Sequence, residues 1–360
     1  MNTSSRILSL ELRFEAVYIK RNFSLPSILS FSVWHMVWLG AWGALATWIY
    51  YYFEISFLAI PWLPVSLIST AVAFYVGFKN NSAYDRLWEA RKIWGAIVND
   101  SRSFAVMSKA NTSDFFQKDK TRQEDILLIK KELIYRHIAW LYQLREQLLI
   151  STPWEHVNAK KHVSRINKKR RESWGVALNF DNVHELLEKC LKREDLASME
   201  GKSNKATQII DKQAQSLKQA RESGIIDDFR HMDMQNVLNR FYDHQGKCER
   251  IKNYPLPRQY TSVSLYFVGL FIFLLPFSML GQFEELGVGL IWLNIPFTII
   301  VGWVFIMMEL VGDYSENPFE GLGNDIPMLS LTRTIERDLL ELLDEKEIPD
   351  KIEAINHTLL

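Results

Sequence analysis

Ser66, Ser69, Thr70, Ala73 and Gly77 fall on one face of a helical wheel, with Phe74 at its margin, while Leu67, Ile68, Val72, Tyr75 and Val76 point elsewhere. A narrow stripe of hydroxyls and small residues suits one of two purposes. It lets a second helix approach closely, or it lines a water-filled pathway, where polar groups are tolerated. Other suggestive residues carry less. Gly201-Lys202-Ser203 ends like a phosphate loop, but position 196, where that loop needs its first glycine, is Leu196. The eight histidines form no HExxH or other metal spacing, and His35, alone in an apolar stretch, reads as a buried hydrogen-bonding residue rather than a ligand. No Ser/His/Asp set stands out, so no enzyme is expected. Cys190 and Cys248 are isolated, which fits a reducing compartment and not a disulfide framework.

The stripe sits on the second of four apolar stretches. A span needs about twenty mainly apolar residues to cross roughly 30 Å of hydrocarbon. Residues 28–53 and 57–78 qualify, with Pro61 and Pro64 expected to break off a short first part of the second; 261–281 and 287–311 form another pair, with Pro276 and Pro296 as expected kinks. Trp34, Trp38, Tyr50, Tyr51, Tyr52 and Trp62 sit toward span ends, where amphipathic rings prefer the interface. The second stretch runs without a proline into AYDRLWEARKIWG (83–95), so one rod is expected to serve both lipid depth and water. The N-terminus carries charges throughout and lacks the apolar core of a signal peptide.

Lysines and arginines flank the spans on one side only. Arg6, Arg13, Lys20 and Arg21 precede span one; Lys79, Arg86, Arg91 and Lys92 follow span two; Lys247, Arg250, Lys252 and Arg258 precede span three. The two short hairpins offer Glu54, Glu284 and Glu285 and no base. The positive-inside bias places both termini and the middle of the chain in the cytoplasm. The expected organisation is an N-terminal cytosolic segment (1–27), a first transmembrane pair (28–78), a cytosolic helical region (79–260), a second pair (261–312) and a cytosolic tail (313–360). Within the middle, Ile126, Ile129, Leu133, Ile134, Ile138, Leu141, Leu144 and Leu148 predict a helix over 123–150, and another is expected over 226–250. Between them 154–224 reads as a polar insertion, its basic run NKKRRES (167–173) a solvated surface with anionic lipid as the lesser alternative. The fold class is therefore an all-α membrane protein with four spans in a 2+2 arrangement. Lysine plus arginine equals aspartate plus glutamate, so overall charge does not point to nucleic acid.

Three motifs, FYVGFKNNSAYDRLWEARKIWG (74–95), GKCERIKNYPLPRQYT (246–261) and ENPFEGLGNDIP (316–327), together resemble the bestrophin family of ion channels, in its bacterial branch. They cover both span pairs and the adjoining helices; 105–225 matches only in helical character. The resemblance implies a homopentamer in the bacterial inner membrane, its second spans packed around a central pore. Its narrow neck would be ringed by Ser66, Thr70 and Phe74, and a lower constriction on the helix before C-E-R-I would fall at Phe229, with Ile226 as the other candidate. The two upper neck positions are usually bulky and apolar in the family, so hydroxyls here leave Phe74 as the main constriction. Animal members clasp calcium with an acidic run after N-P-F-G. Residues 320–325 of this chain supply too few carboxylates for the six to eight oxygens calcium takes, so no cofactor or metal is expected, and the segment reads as a tie between the tail and a neighbouring subunit.

The implied partners are a second to fifth copy of the chain, membrane lipid and permeant small ions. Glu54, Glu284 and Glu285, repeated around the outer face, would make a negative field that draws cations. That ranks small monovalent cations ahead of anions, with a chloride channel of the same architecture as the alternative. A secondary transporter or a membrane-anchored enzyme is the reading from another class. The first typically buries ionisable groups at mid-membrane, whereas the spans hold only Glu309, near the end of the fourth; the second needs a catalytic constellation that 105–250 does not display.

Overall fold

In the computed structural model the described residues are 17–18, 22, 25–115, 122–158, 164–165, 167–168, 180–322, 325–353 and 358–359. They are almost wholly helical. In chain order they form α1 (Leu25–Phe53), α2 (Trp62–Asn111), α3 (Gln123–Leu149), α4 (Phe180–Cys190), α5 (Arg193–Met199), α6 (Lys205–Glu222), α7 (Asp228–Asn253), α8 (Arg258–Leu286), α9 (Asn294–Asp313) and α10 (Met328–Leu342). Two-residue strands Val17–Tyr18 and Thr358–Leu359 pair antiparallel. Most of the basic run 167–173 lies outside the described residues; within it Asn167 is buried and Lys168 exposed.

The chain divides into two units. The described residues of the first fall within Lys20–Leu87 and Pro255–Asn317, those of the second within Glu15–Ile19, Trp88–Tyr254 and Pro318–Leu360. Three helical stretches are long and apolar enough to cross a membrane by length and composition, Ser56–Asn111, Asp228–Leu286 and Gly289–Asp313, among the described residues. α1 covers the remaining expected span with 29 residues and no Asp, Glu, Lys or Arg.

α2 is one unbroken rod of 50 residues, about 75 Å at 1.5 Å per residue. A short 3-10 turn, Ser56–Leu58, precedes it, and Pro64 falls in its first turn, where a missing N–H costs nothing. Gly95 does not interrupt it. Among its buried positions, Val65, Val72, Val76, Lys79, Ala83, Ala90, Trp94, Ile97 and Phe104 recur at three, four or seven residues through the change from lipid-like to polar composition. Buried residues thus continue at helical spacing along the helix although its exposed face changes character. Pro296 is a correction to the expected kinks. It lies in the first turn of α9, which follows the 3-10 helix Val288–Leu293, so it starts the helix instead of bending it. Pro276 lies inside α8, which continues through it.

In the first unit α9 packs on α1 through small residues. A Cβ on Gly43 would stand 3.1 Å from Thr298, and one on Gly40 would stand 3.1 Å from Ile299. Close approach of this kind replaces the hydrophobic drive that lipid cannot supply. Two cross-helix bonds add direction: Asn294 Nδ2 donates to Thr47 Oγ1 (2.9 Å), and Trp303 Nε1 donates to Ser32 Oγ (2.8 Å).

The second unit is built around α3. Beyond the expected apolar positions it also buries Arg136, His137, Gln143 and Arg145, because α4, α6, α7 and α10 surround it. The Arg136 guanidinium donates through Nη1 to Gln213 and Ser216 and through Nη2 to Glu132 and Asp195. The polar insertion therefore contributes packed structure. α6 turns Ala206, Ile209, Ile210, Leu217 and Ala220 inward and leaves its charges outside.

Candidate functional site

The stripe on α2 faces away from the body of its unit. Phe74 is 67% exposed, Thr70 and Gly77 are exposed, and Ser66, Ser69 and Ala73 are half-buried. The hydroxyls are held by the helix itself: Ser66 Oγ donates to the Leu63 carbonyl (2.7 Å) and Thr70 Oγ1 to the Ser66 carbonyl (3.0 Å). Each hydroxyl proton is directed along the rod, and its lone pairs are left to whatever faces the stripe. Below them the Phe74 ring offers only apolar surface.

One and a half turns further along, the structure assembles a polar cluster that the residue types alone do not announce. Lys79 Nζ is ion-paired with Glu309 Oε1 of α9, their side chains 1% and 9% exposed. Ser264 Oγ on α8 donates to the other carboxylate oxygen, Glu309 Oε2 (2.5 Å). The next residue, Asn80, donates from Nδ2 to the Met308 carbonyl (2.8 Å). Gly312 leaves room for it: a Cβ there would fall 2.0 Å from Asn80 Oδ1. In the sequence Lys79 serves only as a flanking charge and Glu309 as a lone acid near a span end. The usable signal is one base and one acid, each at the end of an apolar span and without a partner nearby in sequence.

The three hairpin glutamates, Glu54, Glu284 and Glu285, are all exposed. Glu54 follows α1 with φ 52°, in the left-handed region. Glu284 accepts a hydrogen bond from the Tyr50 hydroxyl.

The two candidates for a lower constriction separate. Asp227 caps α7, accepting from the N–H of Phe229 (2.8 Å) and of Arg230 (3.1 Å). Phe229, inside the cap, is 82% exposed; Ile226, before it, is 1% exposed, its N–H donated to Ala220 O (3.2 Å). Ile226 is a core residue of its own unit, so of this pair only Phe229 presents a side chain to solvent.

The segment after Asn317-Pro318 is fixed by bonds within its own chain. Glu320 takes His156 Nδ1 (2.9 Å) and the Val157 N–H (3.3 Å). Lys252 pairs with Glu155 and also donates to the carbonyl of Phe319 (3.2 Å). Asp325 accepts from the N–H groups of Phe319, Gly321 and Ile326 at 2.9, 2.8 and 2.7 Å. Together these contacts hold Phe319 at φ 70°, a conformation that costs a bulky residue energy. Burial pushes the Asp325 carboxyl up to about 6, raises that of Glu155 and lowers the Lys252 ammonium. Among the described residues no three His, Cys, Asp or Glu side chains converge as metal ligands would.

With this geometry in view, a family model described as Bacterial/Fungal Bestrophin protein matches residues 19–341. The chain is 27% identical over 295 residues to the voltage-dependent anion channel-forming protein YneE of Escherichia coli (strain K12), covering 82% of this chain and 81% of that one. It is 27% identical over 321 residues to the voltage-dependent anion channel-forming protein mll4386 of Mesorhizobium japonicum, covering 89% and 85%. Among solved structures, the bacterial bestrophin homolog from Klebsiella pneumoniae superposes with a TM-score of 0.69 at 21% identity, covering 88% of this chain and 99% of that one.

Proposed function

Because the chain belongs to the bacterial and fungal bestrophin family of channel proteins, we propose that it forms a homopentameric channel for small anions in the bacterial inner membrane, with both termini cytoplasmic. In this reading Ser66, Thr70 and Phe74 ring the neck and Phe229 stands at the cytosolic constriction. The chain is a channel-family protein and not an enzyme.

The observation that carries the choice of ion is the naming of its relatives. Those matched over 82% and 89% of the chain are described as anion channel-forming proteins. This replaces the cation preference expected from Glu54, Glu284 and Glu285. The neck residues are compatible with anions. An aromatic ring carries a positive edge, so Phe74 can pass an anion edge-on, and Ser66 and Thr70 need only turn their O–H groups from the helix carbonyls to solvate one. Cation conduction remains as the second reading, resting on the exposed Glu54, Glu284 and Glu285.

The deciding experiment is the reversal potential of the purified protein in a planar bilayer under a KCl gradient. A potential near that of chloride supports the proposal, and one near that of potassium replaces it with the second reading. Absence of current at any holding voltage would remove the channel assignment for this chain.

A further inference from the structure

The neck residues are useful only if α2 is held at one rotation. A helix turns about 100° per residue, so Lys79 lies about 140° round the axis from Phe74 in one direction and Asn80 about 120° in the other. These two consecutive residues bracket the direction opposite Phe74. Both are anchored to α9: Lys79 by its ion pair with Glu309, Asn80 by its bond to the Met308 carbonyl. Ser264 on α8 orients the Glu309 carboxylate from its other oxygen, and the bare backbone of Gly312 lets Asn80 seat.

An apolar contact in this position would bury α2 equally well but would tolerate sliding and rotation. A buried ion pair does not, because turning α2 strands two charges away from water. Charged groups at the end of an apolar span are costly and call for a function.

We propose that the Lys79–Glu309 pair, with Asn80 seated on the Met308 carbonyl, is the positioning device of the neck: it fixes the rotation of α2 and therefore the aim of Phe74. The inference rests on the assignment of Phe74 to the neck and adds to it residues that touch no ion. Lys79, Asn80, Ser264 and Glu309 are positioning residues.

The test is the unitary conductance of full-length channels reconstituted in planar bilayers, which reports the pore of those channels that assemble and not how many do. Lys79→Met, Glu309→Gln, the exchange Lys79→Glu with Glu309→Lys, and Phe74→Ala are compared with the parent. Each single variant is expected to change unitary conductance by roughly threefold or more, as expected when a constriction is re-aimed, and the exchange to restore it. If Phe74→Ala alters conductance while both single variants assemble and conduct like the parent, the positioning role is overturned and the neck stands. If Phe74→Ala itself changes nothing, the neck assignment falls and this inference with it. Should the single variants fail to assemble, Lys79→Arg decides, since it keeps the charge and changes the reach. A changed conductance then supports the proposal, and an unchanged one overturns it.

Discussion

Gly302 on α9 has no room for a methyl group, because Leu39 Cδ2 on α1 lies 2.6 Å from where its Cβ would stand. Leu39 is fully buried in the apolar core of its unit, so it has little freedom to retreat. Gly302→Ala is therefore expected to destabilise the protein by about 1–3 kcal/mol, the usual cost of overpacking. Thermal unfolding in detergent measures this. The same substitution in a Leu39→Ala background should cost less than half as much, and equal costs in the two backgrounds would show that the clash is relieved elsewhere.

At the neck the three candidates are expected to behave unequally. Phe74→Ala removes the large apolar side chain and should raise unitary conductance several-fold, since an apolar constriction limits wetting. Thr70→Ala and Ser66→Ala remove hydroxyls that already donate to the helix carbonyls of Ser66 and Leu63, and should alter conductance little. A larger effect at Thr70 than at Phe74 would move the constriction upward.

The hairpin glutamates give a salt-dependent prediction. In an anion channel the exposed carboxylates of Glu54 and Glu285 oppose entry, so Glu54→Gln with Glu285→Gln should raise anion conductance at low salt. The gain should shrink toward nothing as ionic strength rises, because screening acts over about 10 Å at 0.1 M and about 3 Å at 1 M. A fall in conductance instead would identify these carboxylates as cation-gathering groups.

Asp325 makes stability depend on pH. Its carboxyl is raised from 3.8 to about 6 by burial, so between these values the folded chain holds a proton that the unfolded chain has released. Stability from this group is present in full below about pH 4, falls as pH rises toward 6, and changes no further above it. The total is on the order of 3 kcal/mol at 1.36 kcal/mol per unit. Melting temperature followed from about pH 4 to pH 7 should show the slope, and Asp325→Asn should flatten it. A slope that survives in the variant would assign the titration to another group.

The continuity of α2 is legible in the sequence because it is local. No proline falls between Pro64 and the end of the helix at Asn111, and buried positions recur at helical spacing throughout. For the same reason the boundaries of α3 and α7 agree closely with the expected 123–150 and 226–250. The three motifs name the family because each is a short contiguous run. Ile226 and Phe229 are not separable that way. Both are apolar and three residues apart, and only the cap at Asp227 puts one in the core and the other outside. The buried polar residues of α3 are equally silent, since they are buried by helices distant in the chain that pack around its later turns. Lys79 and Glu309 stand 230 residues apart, and a charge at the end of a span reads as a water-facing flank until another helix is laid against it. The sequence by itself determined where the helices run and what family of channel they build, because periodicity and short motifs act over neighbouring residues. Only the tertiary structure decided which charges meet and which way Phe74 points, because ion pairing and burial depend on helices distant in the chain.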